Sequence, residues 1–290
     1  MERRAPAREV TALVDAVSAD SYRATLEALV SFPTRHSLGP EFQAAGQAAA
    51  DQLGALGYST RLQTVTLLDG ETRNVVADKV GTAPDAERRL VYLVAHLDSI
   101  NTGGGAGAAA PGADDNASGA AGVLELARVL AGTPMRHDLR LVLFGGEEQG
   151  LFGSQAHVAA LAPADRPRIT MVVNMDMIGR LNTSPPSVLL EGGEVSRPVI
   201  DALAKAAHDH TSLRVLTSLN PFASDHVPFI DAALPAVLTI EGADDQNVDE
   251  HTPRDTLVGL ELSLAVEILR MNAGATAAAL GVTAPIGTDG

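Results

Sequence analysis

Apolar positions recur at helical spacing over 20–30 and 40–56, the second stretch aligning Phe42, Ala45, Ala49, Leu53 and Leu56 on one stripe. Extended, β-rich segments follow at 61–68, 73–80, 90–95, 139–144, 169–174, 187–190, 213–217 and 236–240. Four of these, at 90, 139, 169 and 236, are short continuous apolar runs bounded by turn residues, the pattern of central strands covered on both faces. Helical patterns at about 117–131, 151–161, 196–210 and 260–280 separate the strands. The alternation predicts an α/β fold: a three-layer α/β/α sandwich with a mixed, centrally parallel sheet and antiparallel edges. The Gly- and Ala-rich stretch 101–112 reads as a flexible surface loop, and the Pro-, Gly- and Thr-rich tail 283–290 as a frayed end. With no internal repeat and no second core, 1–282 is expected to be a single domain, with a helical N-terminal segment, about 1–57, packed on it.

Composition narrows the function. Of 290 residues 46% are apolar, enough for a sizeable core and against disorder. A net charge of -15, with Lys79 and Lys205 the only lysines, argues against nucleic acid or an anionic membrane as partner. Cysteine is absent, so disulfides, thiolate metal sites and thiol nucleophiles are excluded together, and any metal must use His and carboxylate ligands. The stretch 11–29 is interrupted by Asp15, Asp20, Arg23 and Glu27, which suits neither a signal sequence nor a membrane span. The expected location is cytoplasmic, or that of a trimmed secreted form; oligomeric state is not legible.

In an open α/β sheet, ligands bind outside the carboxyl ends of the strands. His96 and Asp98 end the run at 90; Glu147 and Glu148 end the run at 139; Asp176 ends the run at 169; His251 follows the last strand across the loop 241–250. The element Pro111-Gly112-Ala113-Asp114-Asp115-Asn116-Ala117-Ser118-Gly119 adds carboxylates at a helix entrance. Each has an ordinary reading too: Asp98 as a helix cap, Asp114 to Asn116 as an N-cap cluster, Glu147 and Glu148 as an acidic first turn. Asp176, between Met175 and Met177, is harder to dismiss, because a buried carboxylate must be paired or bind a cation. Four such strand ends at one sheet edge indicate a site.

The ordered set His96-Leu97-Asp98-Ser99, Pro111 to Gly119, Glu147-Glu148-x-Gly150-Leu151-x-Gly153-Ser154, Asp176-Met177, Ser224-Asp225-His226 and His251-Thr252-x-x-Asp255-Thr256 resembles the dinuclear zinc aminopeptidases of the bacterial leucyl aminopeptidase type, relatives of glutamate carboxypeptidases and glutaminyl cyclases. The resemblance implies two Zn2+ per chain bridged by Asp115, with His96 and Asp176 completing one metal's shell and Glu148 and His251 the other's. It further implies Glu147 as general base, Asp98 as hydrogen-bond partner of the far nitrogen of His96, and a cis bond between Asp115 and Asn116. The ligand chemistry agrees, since imidazole and carboxylate donors suit paired catalytic zinc ions sharing a bridging hydroxide that attacks the scissile carbonyl. Two dications would be balanced by Asp115, Asp176, Glu148 and that hydroxide. The chain departs from several relatives in carrying Asn220-Pro221-Phe222-Ala223 where they have a Tyr that steadies the tetrahedral intermediate.

A peptidase of peptide substrates is therefore expected, releasing N-terminal residues. Met177, Phe222, Leu238 and Ile240 are the candidate side-chain pocket, with Phe229 a further candidate, which would favour apolar residues. Arg180 could instead bind a substrate α-carboxylate and make the enzyme a carboxypeptidase; a surface ion pair is its ordinary role. A glutaminyl cyclase would need one metal only, and a noncatalytic binding domain would be expected to have lost ligands. A serine hydrolase on Ser224, Asp225 and His226 lacks a Gly-x-Ser-x-Gly turn, and Ser224 is expected to cap a short helix. His36, His137, His157, His208 and His210 read as surface or packing residues, and the acidic loop with Asp244, Asp245, Asp249 and Glu250 as solvated.

Overall fold

In the computed structural model of the chain, which describes residues 7–283, the elements run α1 (Arg8–Asp15), α2 (Ala19–Val30), α3 (Pro40–Ala55), β1 (Ser59–Leu67), β2 (Gly70–Lys79), β3 (Leu90–His96), α4 (Gly119–Leu130), β4 (Asp138–Phe144), α5 (Phe152–Ala159), β5 (Ile169–Met175), β6 (Ser187–Gly192), α6 (Arg197–His210), β7 (Arg214–Ser218), α7 (His226–Asp231), β8 (Ala236–Glu241) and α8 (Leu262–Leu280). All eight strands form one sheet in the order β1-β2-β4-β3-β5-β8-β6-β7. The tail expected from 283 lies, beyond Thr283, outside the described residues, as does the start of the N-terminal segment. No helix among the described residues is long and apolar enough to cross a membrane.

The four continuous apolar runs are the four central strands, and every pairing among β4, β3, β5 and β8 is parallel. Their side chains alternate between two cores, as strand geometry requires. In β3, Val91, Leu93 and Ala95 face the larger core, while Leu90, Tyr92 and Val94 face the smaller one. The larger core gathers residues of α1, α2, α3, α4, α6 and α8; the smaller one includes Val158 from α5 and Phe229 from α7. Both faces are thus covered, which is why these strands carry little polar alternation, Asp138 and Arg140 at the start of β4 being the exception.

One edge is the antiparallel hairpin β1–β2, with β2 antiparallel to β4. At the other edge the expectation of antiparallel strands needs correction: β6 is antiparallel to β8, but β6 and β7 are parallel to each other, because α6 crosses over between them. The loop 101–112 is anchored at several points. Asn101 Nδ2 donates to Ala109 O at 3.0 Å, Thr102 N donates to His251 O at 3.1 Å, and Ala110 N donates to Pro33 O at 2.8 Å.

Candidate metal centre

Because β3, β4, β5 and β8 are parallel and adjacent, their carboxyl ends open on one edge. His96 is the last residue of β3, Glu147 and Glu148 follow β4, Asp176 follows β5, and His251 arrives on the loop after β8. Asp115 comes from the turn that enters α4, where the Asp115–Asn116 peptide bond is cis. That turn lies against the end of β5: a Cβ on Gly119 would sit 2.2 Å from the carbonyl oxygen of Met175, so only glycine permits the approach. The cleft so formed encloses about 530 Å³.

Asp115 divides its two oxygens between two imidazoles. Oδ1 lies 3.2 Å from His96 Nε2, and Oδ2 lies 2.9 Å from His251 Nε2. His96 Nε2 is also 3.2 Å from Asp176 Oδ1, and His251 Nε2 is 2.9 Å from Glu148 Oε2. Tetrahedral zinc ligands at about 2.0–2.1 Å from the ion stand roughly 3.3 Å apart, close to these separations. Three sets of donors fall within 4.8 Å among themselves: His96, Asp115 and Glu148; His96, Glu147 and Asp176; and Asp115, Glu250 and His251. Glu147 Oε2 is 4.0 Å from His96 Nε2.

The donors also fit a cation electrostatically. Burial pushes the Glu148 carboxyl up to about 8, the charge of Asp115 adding to it, and burial with the charges of Asp225, Asp176 and Glu148 pushes Glu147 well above the carboxylate range. Hydrogen bonds to Asp115 and Glu148 raise His251 to about 11; His96 rises well above its usual value despite burial, through Asp176 and Glu147. Asp115, which burial alone would raise, is held below its usual range by His251 and His96. The cluster draws protons onto its imidazoles because its carboxylates demand positive charge, a demand that two divalent ions would meet. Glu148 Oε1 is buried with no hydrogen-bond donor.

The partners behind these groups differ in part from expectation. His96 Nδ1 is nearer the main-chain oxygen of Asp98, at 3.2 Å, than its carboxylate, at 3.6 Å. The Asp98 carboxylate instead accepts the amides of Glu147 and Glu148, at 3.4 and 3.2 Å, and so ties β4's turn to β3's. Ser224 does not cap α7 with its side chain; its hydroxyl donates to Asp176 Oδ2 at 2.6 Å and accepts from Asn174 Nδ2 at 2.7 Å. The run Asp114 to Asn116 is not one capping cluster. Asn116 Oδ1 accepts from Gly119 N at 2.8 Å, and Asp114 Oδ1 accepts from Gly179 N at 2.9 Å, while Asp115 faces the histidines.

Met177, Leu238 and Ile240 pack together with Leu189 and line the cleft. Met177 and His251 both adopt left-handed backbone, at φ 51° and 54°, a cost of about 1–3 kcal/mol that non-glycine residues bear mostly at functional sites. Phe222 also lines the cleft but is 79% exposed, while Phe229 is fully buried against Tyr92 and Phe144, so it is core and not pocket. Arg180 is bound by Asp249 at 2.7 Å and by Asn247, and lies outside the cleft lining. Sequence reasoning missed Leu189 and Glu191 in the wall, and took Asp244 and Glu250 for solvated loop residues although both line the cleft. Glu191 is opposite Leu238 and Leu189 opposite Ile240 in the antiparallel β6–β8 register, a pairing no local pattern announces.

The comparisons with known proteins agree with this geometry. An aminopeptidase of Bacillus subtilis is 30% identical over 171 residues, covering 58% of this chain and 36% of that protein. Leupeptin-inactivating enzyme 1 of Streptomyces exfoliatus is 33% identical over 198 residues, covering 67% of this chain and 41% of that protein. The chain thus spans less than half the length of these two curated relatives. The structure of an aminopeptidase from Aneurinibacillus sp. strain AM-1 superposes with a TM-score of 0.80 at 18% identity, covering 95% of this chain and 98% of that one, a likeness of fold. Peptidase family M28 matches residues 74–276, a span that takes in every strand end of the cleft, and the chain belongs to that family.

Proposed function

We propose that the protein is a dinuclear zinc aminopeptidase, with residues 1–282 acting as one peptidase domain. The reading rests above all on the division of Asp115 between His96 and His251, which suits a carboxylate shared by two ions. His96 and Asp176 would hold one zinc with Asp115, and Glu148 and His251 the other. When bound, the ions supply Lewis acidity, polarising a carbonyl and easing deprotonation of water. Glu147, in the cleft beside these ligands, takes the proton of the attacking water and passes it to the leaving nitrogen. The apolar wall of Met177, Leu189, Leu238 and Ile240 suits an apolar N-terminal side chain.

Charge favours a free N-terminus over a free C-terminus. Glu191, Asp244 and Glu250 line the cleft in addition to Asp115, Glu147, Glu148 and Asp176, and no Lys or Arg is among the described lining residues. A substrate ammonium is attracted there and an α-carboxylate repelled. Arg180, the cation a carboxypeptidase would need, is already engaged by Asp249. The test is a panel of free, N-acetylated and C-amidated peptides assayed with zinc and with chelator. Cleavage that needs a free N-terminus, tolerates an amidated C-terminus and stops with chelator is expected; a requirement for a free C-terminus would overturn the reading.

A further inference from the structure

Arg35 is fully buried, yet no carboxylate pairs with it within 4.0 Å among the described residues. Its guanidinium is spent on main-chain oxygens. Nε donates to Leu97 O at 2.8 Å, Nη1 to Pro111 O at 2.6 Å and Leu29 O at 3.2 Å, and Nη2 to Gly112 O at 2.9 Å. Leu97 lies between His96 and Asp98, and Pro111 and Gly112 open the turn that presents Asp115. One rigid fork therefore grips both turns, and its fixed planar geometry sets their spacing. Gly112 completes the fit: its φ is +51°, and a Cβ there would meet Asp115 O at 2.4 Å and Arg35 Nη2 at 3.0 Å.

The amide side of the same turn is held by an anion. Asp255, 3% exposed, accepts Asp114 N at 2.9 Å on Oδ1 and Asp115 N at 3.0 Å on Oδ2. Its own amide donates to Thr252 O at 3.2 Å, next to His251. A cation on the carbonyls and a carboxylate on the amides thus fix one five-residue turn from both ends of its dipoles. Burying a guanidinium without an ion pair is costly, and an apolar side chain would serve packing alone better. Burial lowers the Arg35 guanidinium only to about 10, with Asp255, Asp115, Asp98 and Glu148 acting to keep it charged.

We propose that Arg35 and Asp255 are a positioning pair that holds the turns 96–98 and 111–115 at metal-binding distance from each other, so that they set zinc affinity without touching zinc or substrate. The inference rests on the dinuclear zinc reading above. The test titrates metal-free protein with zinc against a chromophoric chelator, for the parent, Arg35→Lys, which keeps the charge but loses the fork, and Asp255→Asn. Folding is checked by circular dichroism. Expected is a zinc Kd at least about tenfold weaker in each folded variant, the lower end for groups that orient ligands, with activity partly restored by excess zinc. A Kd within about twofold of the parent in either folded variant overturns the proposal, as does loss of fold in both, which would make the pair a fold support only. If one variant does not fold, the other decides. A parent that binds no zinc would instead defeat the metal reading itself.

Discussion

Replacing Ser224 by Ala removes one hydroxyl and breaks two buried hydrogen bonds at once. The bond to Asp176 Oδ2, at 2.6 Å, is assisted by the carboxylate charge, and the bond from Asn174 Nδ2, at 2.7 Å, is between neutral groups. A hydrogen bond to a charged group contributes about 1.5–3 kcal/mol and a neutral one about 1 kcal/mol. Asn174 is fully buried, so its amide is left without that partner, whereas Asp176, at 7% exposure, lines the cleft and recovers water there. The metal-free protein should therefore lose about 2 kcal/mol of stability in urea unfolding. A double-mutant cycle with Asn174→Ala should give a coupling of at least about 0.5 kcal/mol, as for residues in one hydrogen-bond network. Zinc affinity should fall by about 10–100-fold, because Asp176 loses the group that aims it. A stability change below about 1 kcal/mol with an additive cycle would refute the assignment of Ser224 to Asp176.

Glu147→Gln should retain both zinc ions by elemental analysis while kcat drops at least about a hundredfold; near-normal turnover would remove Glu147 as proton carrier. Stripping zinc with a chelator should abolish hydrolysis and lower the calorimetric midpoint, since each site at a hundred times its Kd adds about 2.7 kcal/mol; an unchanged midpoint would contradict a metal buried at the strand ends. His157, buried among the rings of Tyr92, Phe144 and Phe229, is pushed down to about 3 by burial and the charges of Arg140 and Arg61, so below its ordinary 6.5 the unfolded chain binds the extra proton and stability is lost as pH falls toward 3. Between pH 7 and pH 5 the parent should lose about 2 kcal/mol more than His157→Asn in parallel urea unfolding, and identical pH dependence in the two would sink the argument.

The central strands were legible because parallel strands covered on both faces must be largely apolar, and 90–95, 139–144, 169–174 and 236–240 are, with Arg140, Thr170, Asn174 and Thr239 the polar exceptions. The candidate ligands were legible for a related reason. A polar residue that ends such a run stands at the sheet's carboxyl edge, so His96, Glu147, Glu148 and Asp176 could be grouped before any contact was known. Residues that act through a distant partner were not legible. Ser224 reads as a cap until Asp176, 48 positions away, is seen beneath it. Arg35 precedes the turns it grips by more than 60 residues, and Glu191 enters the cleft only because β6 runs antiparallel beside β8.

The chain by itself therefore determined the layers, the central strands and the chemical type of the site, because burial on two faces and the want of any thiol act residue by residue. Only the tertiary structure decided which atoms meet. It gave one oxygen of Asp115 to His96 and the other to His251, turned the Asp98 carboxylate toward two amides, sent Phe229 into the core and kept Arg180 for Asp249. Those outcomes depend on strand order and loop path across long separations, and periodicity, which reports only on near neighbours, carries no information about them.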